Sequence, residues 1–299
     1  MKTPRECLAA IDVGSNTILL TVARYDPPSG LVVIEEGEDQ PRLGAGLAST
    51  GRLSEAAMQR ALEGLSRMRE TCRRHGVQRI SAVATAAVRE AANGPEFTER
   101  VRALDIPLRV ISPETEAALS YRSAAHRFPG RQRMIVADIG GGSLELIGAA
   151  NGSVRMSHSL PLGAVRLTEL SIPLDQLRDH ISQFLRNALQ AEWRDSTIIG
   201  SGGTFATLGS MAVASRGLQA QPVHGVSVSA AEVTQLLETL AALPPDKRRL
   251  TPGLNPERAD IVVAGLAVVV ELLNRVGVGG VTVSGFGLRD GLLLEMRGI

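Results

Sequence analysis

Two short stretches of this chain have the composition of phosphate clamps. Asp12-Val13-Gly14-Ser15-Asn16 follows the apolar run Leu8–Ile11, and Asp138-Ile139-Gly140-Gly141-Gly142-Ser143 closes the apolar run Met134–Asp138. In each, glycines let the backbone approach an anion closely and point successive N–H groups at it. The hydroxyls of Ser15, Thr17 and Ser143 and the amide of Asn16 add donors. A carboxylate alone would repel phosphate. Asp12 and Asp138 therefore make chemical sense with a divalent cation between carboxylate and phosphate oxygens, as Mg²⁺ is commonly held. Asp and Gly also furnish ordinary β-turns, and either stretch alone reads that way. Two of them in matching places, each between apolar strands, read as two clamps. A third glycine turn, IIGSGGT (198–204), joins a short strand to a helix. Its Gly202, Gly203 and Thr204 would set backbone donors and a helix dipole before an anion.

The elements that must carry these turns repeat. In the first half, strands Leu8–Ile11 and Ile18–Tyr25 flank the first turn, and PPSG (27–30) turns into a strand Leu31–Glu35. Ser54 caps an amphipathic helix that runs to His75 and stops at Gly76. Strand Arg79–Thr85, helices Ala86–Ala92 and Glu96–Leu104, strand Leu108–Ile111 and helix Pro113–His126 follow. In the second half, strands Met134–Asp138 and Leu144–Ala149 flank the second turn, and Asn151-Gly152 makes a tight hairpin into Ser153–Leu160. Helix Asp175–Trp193, strand Thr197–Ile199, helix Thr204–Ala214, a loop, helix Ala230–Ala242, helix Glu257–Val276, strand Val281–Val283 and a last helix from Leu288 complete it. Each half thus reads as three hairpin-linked strands followed by alternating helices and strands. That pattern predicts an α/β protein with a mixed sheet flanked by helices, made twice and facing across a cleft. The domain limits expected are 1–125 and 126–299, meeting at the FPGRQR stretch.

Composition narrows the class. At 299 residues and 44% hydrophobic, the chain can bury the cores of two domains. A formal charge of +1 does not mark the whole surface as a nucleic-acid or membrane binder. Of the 32 basic residues all but Lys2 and Lys247 are arginines. The planar guanidinium suits phosphate oxygens, although genomic base composition produces the same bias. The basic stretches 67–75 and 126–133 read first as cations near helix C-termini. Cys7 and Cys72 lack CxxC spacing, which points to a reduced intracellular protein. MKTPREC runs straight into a strand, without the apolar region of a signal peptide. The longest apolar run, Ile261–Val270, is too short to span a bilayer. The expectation is a soluble cytoplasmic protein, monomer or homodimer. The five histidines form no ligand-spaced cluster, which argues against zinc and against a histidine nucleophile.

Eight blocks in order carry a family resemblance: IDVGSNTILL (11–20), ATAAVREAAN (84–93), VISPETEAALSY (110–121), VADIGGGSLELI (136–147), LPLGAVRLTE (160–169), GSGGTFATL (200–208), PERADIVVAGLAVV (256–269) and SGFGLRDG (284–291). Nearly end to end, the chain resembles the exopolyphosphatase and guanosine pentaphosphate phosphohydrolase family (Ppx/GppA), in the actin-like ATPase superfamily. The resemblance implies two actin-like (ribonuclease H-like) domains with mixed five-stranded sheets, Mg²⁺ dependence and stepwise hydrolysis of a terminal phosphoanhydride. It also implies that the final helix, from Leu288, crosses back onto the first domain.

Residue roles come from the same resemblance. The family's candidate base is the Glu before Ala in a stretch like ISGxEEA, which falls on Glu116, with Glu114 the alternative because Pro113 and Thr115 depart from the pattern. On spacing alone, acids there would only complement a helix N-terminus. Asp138 and Glu145 match the family's DxGGGSxE pair and are expected at the metal, with Asp12. Arg89 and Arg258 match its basic positions and are expected to grip phosphate. With Gly14, Ser15, Asn16, Thr17, Gly140, Gly141, Gly142, Ser143, Gly202, Gly203 and Thr204 they complete the candidate site. An actin-like kinase would use the same clamps, but Glu116's context argues against it. A non-catalytic relative binding polyphosphate or guanosine tetraphosphate would keep the clamps without needing Glu116. Between polyphosphate and guanosine pentaphosphate, the low aromatic content, 3%, offers no evident platform for a guanine and tilts the expectation toward polyphosphate.

Overall fold

The computed structural model of the chain describes residues 6–26 and 30–299. The first five residues, and Pro27-Pro28-Ser29 of the expected turn, lie outside the described residues. The chain divides into two compact units, Met1–Ser123 with Leu288–Ile299, and Ala124–Gly287.

The first unit opens with β1 (Glu6–Val13), β2 (Ile18–Asp26) and β3 (Gly30–Asp39), followed by α1 (Leu47–Thr50), α2 (Glu55–Arg74), β4 (Arg79–Ala84), α3 (Ala86–Glu90), α4 (Gly94–Arg102), β5 (Leu108–Val110) and α5 (Pro113–Arg127). The sheet order is β3-β2-β1-β4-β5. The hairpin strands pair antiparallel, and β1, β4 and β5 run parallel. β1 is apolar on both faces because both are covered. Ala9, Ile11 and Val13 join the core under α2 and α4, whereas Leu8 and Ala10 face a second cluster with Leu119. Ser54 caps α2 by accepting from the Ala57 N–H at 3.3 Å. The buried positions Ala57, Met58, Ala61, Leu65, Met68 and Cys72 then recur at helical spacing. β3, at the sheet edge, keeps Glu35, Glu36 and Glu38 along it, a common defence against edge pairing.

The second unit holds β6 (Arg133–Ile139), β7 (Leu144–Ala150), β8 (Ser153–Leu160), α6 (Ala164–Glu169), α7 (Leu174–Ala188), β9 (Thr197–Ser201), α8 (Gly202–Ser215), β10 (Ser227–Ser229), α9 (Ala230–Ala241), α10 (Pro245–Arg248), α11 (Val262–Val276) and β11 (Gly280–Val283). Its sheet, β10-β11-β9-β6-β7-β8, repeats the first plan with a sixth strand where five were expected. That strand, β10, is three residues long and pairs antiparallel with β11 at the edge. Such a segment carries no period to read. Asn151 and Gly152 both take positive φ, 52° and 75°, which is the hairpin turn their types demand.

Two expected helices are shorter than their apolar pattern. The helix read as Asp175–Trp193 ends at Ala188, and Leu189 is extended before a 3₁₀ turn at Ala191–Trp193. The break lets the buried Trp193 ring seat on β7 at Gly148. The helix read from Glu257 begins at Val262; Pro256 opens only a 3₁₀ turn, capped by Asn255, and Arg258 lies in that turn. Helix α12 (Leu288–Arg297) belongs to the first unit, where Leu288, Leu292 and Leu293 pack against Leu8, Ala10 and Leu119. Burying three such side chains contributes roughly 5–9 kcal/mol before entropy is counted. Arg289 adds hydrogen bonds to Leu20 O and Thr21 Oγ1, both at 2.7 Å, and Asp290 accepts from the buried Ser123 hydroxyl at 3.0 Å.

Candidate active site

In both units the candidate residues gather at the C-terminal ends of the parallel strands, the usual ligand edge of such sheets. The two glycine turns are built alike. Gly14 N–H bonds Thr17 O at 3.0 Å, and Gly140 N–H bonds Ser143 O at 3.0 Å, the same loop twice. Each is pinned from behind by a later segment. The N–H groups of Gly44 and Arg42 take Ser15 O and Asn16 O at 2.7 and 3.1 Å. In the second turn, Ala164 and Val165 N–H take Gly140 O and Gly141 O at 3.0 and 2.9 Å, and Arg166 Nε takes Gly142 O at 2.9 Å. A trans peptide sets C=O and N–H on opposite sides. Holding these carbonyls therefore turns the N–H groups of Asn16 and Thr17, and of Gly141, Gly142 and Ser143, the other way, where an anion would meet them.

The pinning segments, Leu43-Gly44-Ala45 and Leu162-Gly163-Ala164, are themselves a repeat that the sequence reading missed. Both leucines are fully buried, and a side chain at Gly163 would stand 2.3 Å from the Gly141 carbonyl oxygen. The signal was available as an identical tripeptide after the third strand of each half.

Asp138 sits at the centre of a polar row. The register places it beside Ser201 on β9 and opposite Glu145 on β7, which in turn faces Ser159 on β8. Ser201 Oγ donates to Asp138 Oδ2 at 2.8 Å, and Ser159 Oγ donates to Glu145 Oε1 at 2.9 Å. Glu145 is 2% exposed, so this carboxylate is buried with its hydroxyl partner and does not face solvent. The third turn forms the floor of the row. Gly202 takes φ +85°, and any side chain there would come within 2.3 Å of Asp138 Oδ1. Gly203, in the first turn of α8, has the Arg258 guanidinium laid against it, and Thr204 is buried beside Gly265. Gly140, Gly141 and Gly142 line the near side with the buried Ser143.

The first unit differs at the same register positions. Asp12 stands beside Val83 and opposite Leu19, which faces Glu38. Ser15, Asn16 and Thr17 are buried in its turn. The first unit's titratable chemistry lies further along. α3 starts after Thr85, whose N–H bonds Val13 O at 3.2 Å, and so brings Arg89 to the same edge. Arg89 Nη1 donates to Ile111 O at 2.9 Å and to Glu116 Oε2 at 3.2 Å. Glu116 is 9% exposed. Glu114, by contrast, is exposed, and hydrogen bonds from the Ser112 hydroxyl and its own backbone N–H, with Arg89 further off, hold its carboxyl below 4.5. Ser112 also caps α5 at Thr115 N–H, 3.3 Å. Glu114 therefore belongs to the helix start, and Glu116 is the acid turned to Arg89. Arg89, expected on phosphate, donates in this structure to Glu116 and to the Ile111 carbonyl.

Comparison with known proteins follows the same lines. The model of the Ppx/GppA phosphatase family matches residues 21–298. Exopolyphosphatase 2 of Mycobacterium tuberculosis is 30% identical over 97% of this chain and 98% of its own length. Among solved structures, the Ppx/GppA family member of Aquifex aeolicus is 29% identical with a TM-score of 0.83, covering 98% of both chains. An exopolyphosphatase from Cytophaga hutchinsonii is 26% identical with a TM-score of 0.89, over 98% of this chain and 99% of its own. The family match runs through both units and takes in every candidate residue from Arg89 to Arg258: the chain belongs to the Ppx/GppA phosphatase family.

Proposed function

We propose that this chain is a Mg²⁺-dependent exopolyphosphatase that removes the terminal phosphate of inorganic polyphosphate, with Glu116 as its base. The observation that carries the reading is the Glu116–Arg89 pair. Ser112 and Glu114 already complete the start of α5, so a second acid buried against a guanidinium has no capping work left to do. Geometry of this kind holds a carboxylate oriented for a proton. The exopolyphosphatase relative at 30% identity supports polyphosphate as the substrate.

The chemistry needs an in-line water, neutralised phosphoryl oxygens and a group that takes the water's proton. Glu116 accepts that proton as the new P–O bond forms at the terminal phosphorus. The bridging P–O bond breaks, and its electron pair stays on the shortened chain. One water is consumed and one phosphate released. Arg89 fixes the Glu116 carboxylate, and Arg258, beside the start of α8, grips phosphate oxygens with the N–H groups of the glycine turns.

The Asp138–Glu145 pair suits Mg²⁺. Both supply oxygen donors, they lie directly opposite one another, and the Gly202 floor leaves the Asp138 carboxylate uncovered by any side chain at that position. Mg²⁺ commonly takes one or two carboxylates and completes its shell with water and substrate oxygens. Among the described residues no three His, Cys, Asp or Glu are gathered as a metal site, so the remaining positions would fall to those oxygens. Asp12 stays a candidate from the first turn. When bound, the ion offsets charge on the phosphoryl oxygens. Among the described residues no helix is long and apolar enough to cross a membrane.

The test is phosphate release in Mg²⁺ from long-chain polyphosphate, guanosine pentaphosphate and ATP, for the wild type and Glu116→Gln. Release from polyphosphate, falling roughly 10²–10⁴-fold in the variant, is expected. Preference for the nucleotide would reassign the chain as a guanosine pentaphosphate hydrolase. Binding without release from any substrate would make it a non-catalytic relative.

A further inference from the structure

Lys247, Arg248 and Arg249 are three consecutive cations around the end of α10, and they do not share a role. Lys247 and Arg249 are exposed, as surface charges usually are, whereas Arg248 is half-buried. Its Nε donates to Leu240 O at 2.7 Å and to Leu243 O at 2.9 Å, both at the end of α9. Its Nη1 reaches across to Ala259 O at 3.4 Å. Burial pulls the pKa of this guanidinium down, and the charge of Asp260, next to Ala259, opposes that shift. One side chain thus spans from the end of α9 to the segment Ala259-Asp260.

That segment follows directly on the 3₁₀ turn Pro256–Arg258, whose last residue lays its guanidinium against Gly203 in the first turn of α8. Before the turn the chain is held against the other end of α8: a side chain at Gly253 would come within 2.4 Å of Ser210 O, and Leu254 is buried. From Ser210 back to Gly203, α8 covers about 10 Å, and the turn has to deliver Arg258 over that distance. Its own bonds are modest, Arg258 N–H to Asn255 O at 2.9 Å and Ala259 N–H to Pro256 O at 3.4 Å. Ending α9 does not require Arg248, because Leu240 O already accepts from the Leu243 N–H at 3.2 Å. A cation near a helix C-terminus is favourable in itself, but an exposed lysine would supply that. The contact on Ala259 O is the part that capping leaves unexplained.

We propose that Arg248 is a positioning residue, a fork that ties the turn carrying Arg258 to the end of α9 and so sets the Arg258 guanidinium over the phosphate floor at Gly203. It acts through Arg258, and the inference rests on the reading of Arg258 as a phosphate ligand. The planar fork suits this task, since it reaches carbonyls of two segments from one rigid group.

The test is a double-mutant cycle on Arg248→Ala and Arg258→Ala, read as affinity for imidodiphosphate, a pyrophosphate whose nitrogen bridge resists hydrolysis, by calorimetry in Mg²⁺ buffer. Each single variant should bind about tenfold more weakly than wild type, within the coupling range of residues that share a network. With Arg258 already removed, Arg248→Ala should cost nothing more. Arg248→Lys keeps a cation at the end of α9 but loses the fork; it should also weaken binding, to a smaller extent, and it takes the place of Arg248→Ala in the cycle if that variant does not fold. Full affinity in both Arg248 variants, with Arg258→Ala weakened, would overturn the positioning role and leave the phosphate reading standing. The same loss from Arg248→Ala with and without Arg258 would mean that it only braces α9, and would overturn it too. Undiminished binding in Arg258→Ala, or none in wild type, would overturn the phosphate reading of Arg258 and the positioning role with it.

Discussion

Gly163→Ala tests whether the second clamp is held as described. A methyl group at this position would stand 2.3 Å from Gly141 O and from Gly142 C, about 1.1 Å inside an ordinary 3.4 Å contact. Both obstacles are backbone atoms, so no rotamer relieves the overlap. Either α6 withdraws by about that distance, straining the bonds that Ala164 and Val165 make to the turn, or the turn itself moves. Overpacking of this kind costs about 1–3 kcal/mol, and each hydrogen bond weakened adds up to about 1 kcal/mol. A melting temperature lower by roughly 5–10 °C follows for a unit of this size. A shift of about 1 Å in a phosphate-positioning loop should also cost on the order of 10²-fold in kcat/KM. Gly44→Ala is the graded control: its added methyl would meet Ser15 Cβ at 2.9 Å, an overlap about half as large, and should cost clearly less on both counts. Thermal unfolding and phosphate release would be measured on both variants. A Gly163→Ala protein that melts and turns over like wild type would refute the pinning of the clamp by α6. A Gly44→Ala protein worse than Gly163→Ala would refute the contact arithmetic.

Two further outcomes concern stability and reactivity. Ser229 and Glu232 form a capping box on α9, and hydrogen bonds from the Ser229 backbone N–H, then from its hydroxyl and Arg216, hold the Glu232 carboxyl below 4.5. A carboxyl depressed in the folded state stabilises fully above its unfolded value and loses that contribution as pH falls through the lower folded one. Melting temperature against pH should therefore fall less steeply below about 4.5 in Glu232→Gln than in wild type; parallel curves would count against the cap. Cys7 and Cys72 are both buried, and burial pushes the Cys72 thiol up to about 11 and raises Cys7 as well. A thiol reagent at pH 8 should label neither in the native protein and both in denaturant, and fast native labelling of Cys72 would contradict its burial.

The duplicated plan was legible because its signals are local. Apolar strands, Ser54 before an amphipathic helix and Asn151-Gly152 between strands each fix their own geometry. The polar row was only half legible. Asp138 and Ser201 sit at strand ends next to glycine, but Ser159 depends on a bulge. A strict hairpin count from Asn151-Gly152 would set His158 across from Glu145; the irregularity between Gly148 and Ala149 moves Ser159 there instead. The partner of Arg89 was hidden for another reason. Arg89 and Glu116 are 27 residues apart on different helices, and only the parallel pairing of β4 with β5 brings α3 and α5 to one edge. Helix ends failed where tertiary contacts overrode pattern, as at Trp193.

The repeat conserves a frame and divides the chemistry. The loop bonds Gly14–Thr17 and Gly140–Ser143 are the same, as are the pinning tripeptides that begin Leu43 and Leu162. The positions that flank each Asp are not. Across four strands the second unit writes Ser201, Asp138, Glu145 and Ser159, where the first writes Val83, Asp12, Leu19 and Glu38. Valine and leucine beside Asp12 offer no side-chain donor, so the carboxylates of this row in the first unit are Asp12 and Glu38 alone. What the first unit has instead is Glu116 braced by Arg89, a pair with no counterpart at the register positions of the second. A hydrolase of phosphoanhydrides needs charge neutralisation and a proton acceptor, and these make opposite demands. Under the proposed function the first would fall to Asp138 and Glu145 with a cation, and the second to Glu116. On that proposal, the loop shared by the two units would carry different side-chain chemistry in each copy, which the unlike residues at matching register positions allow.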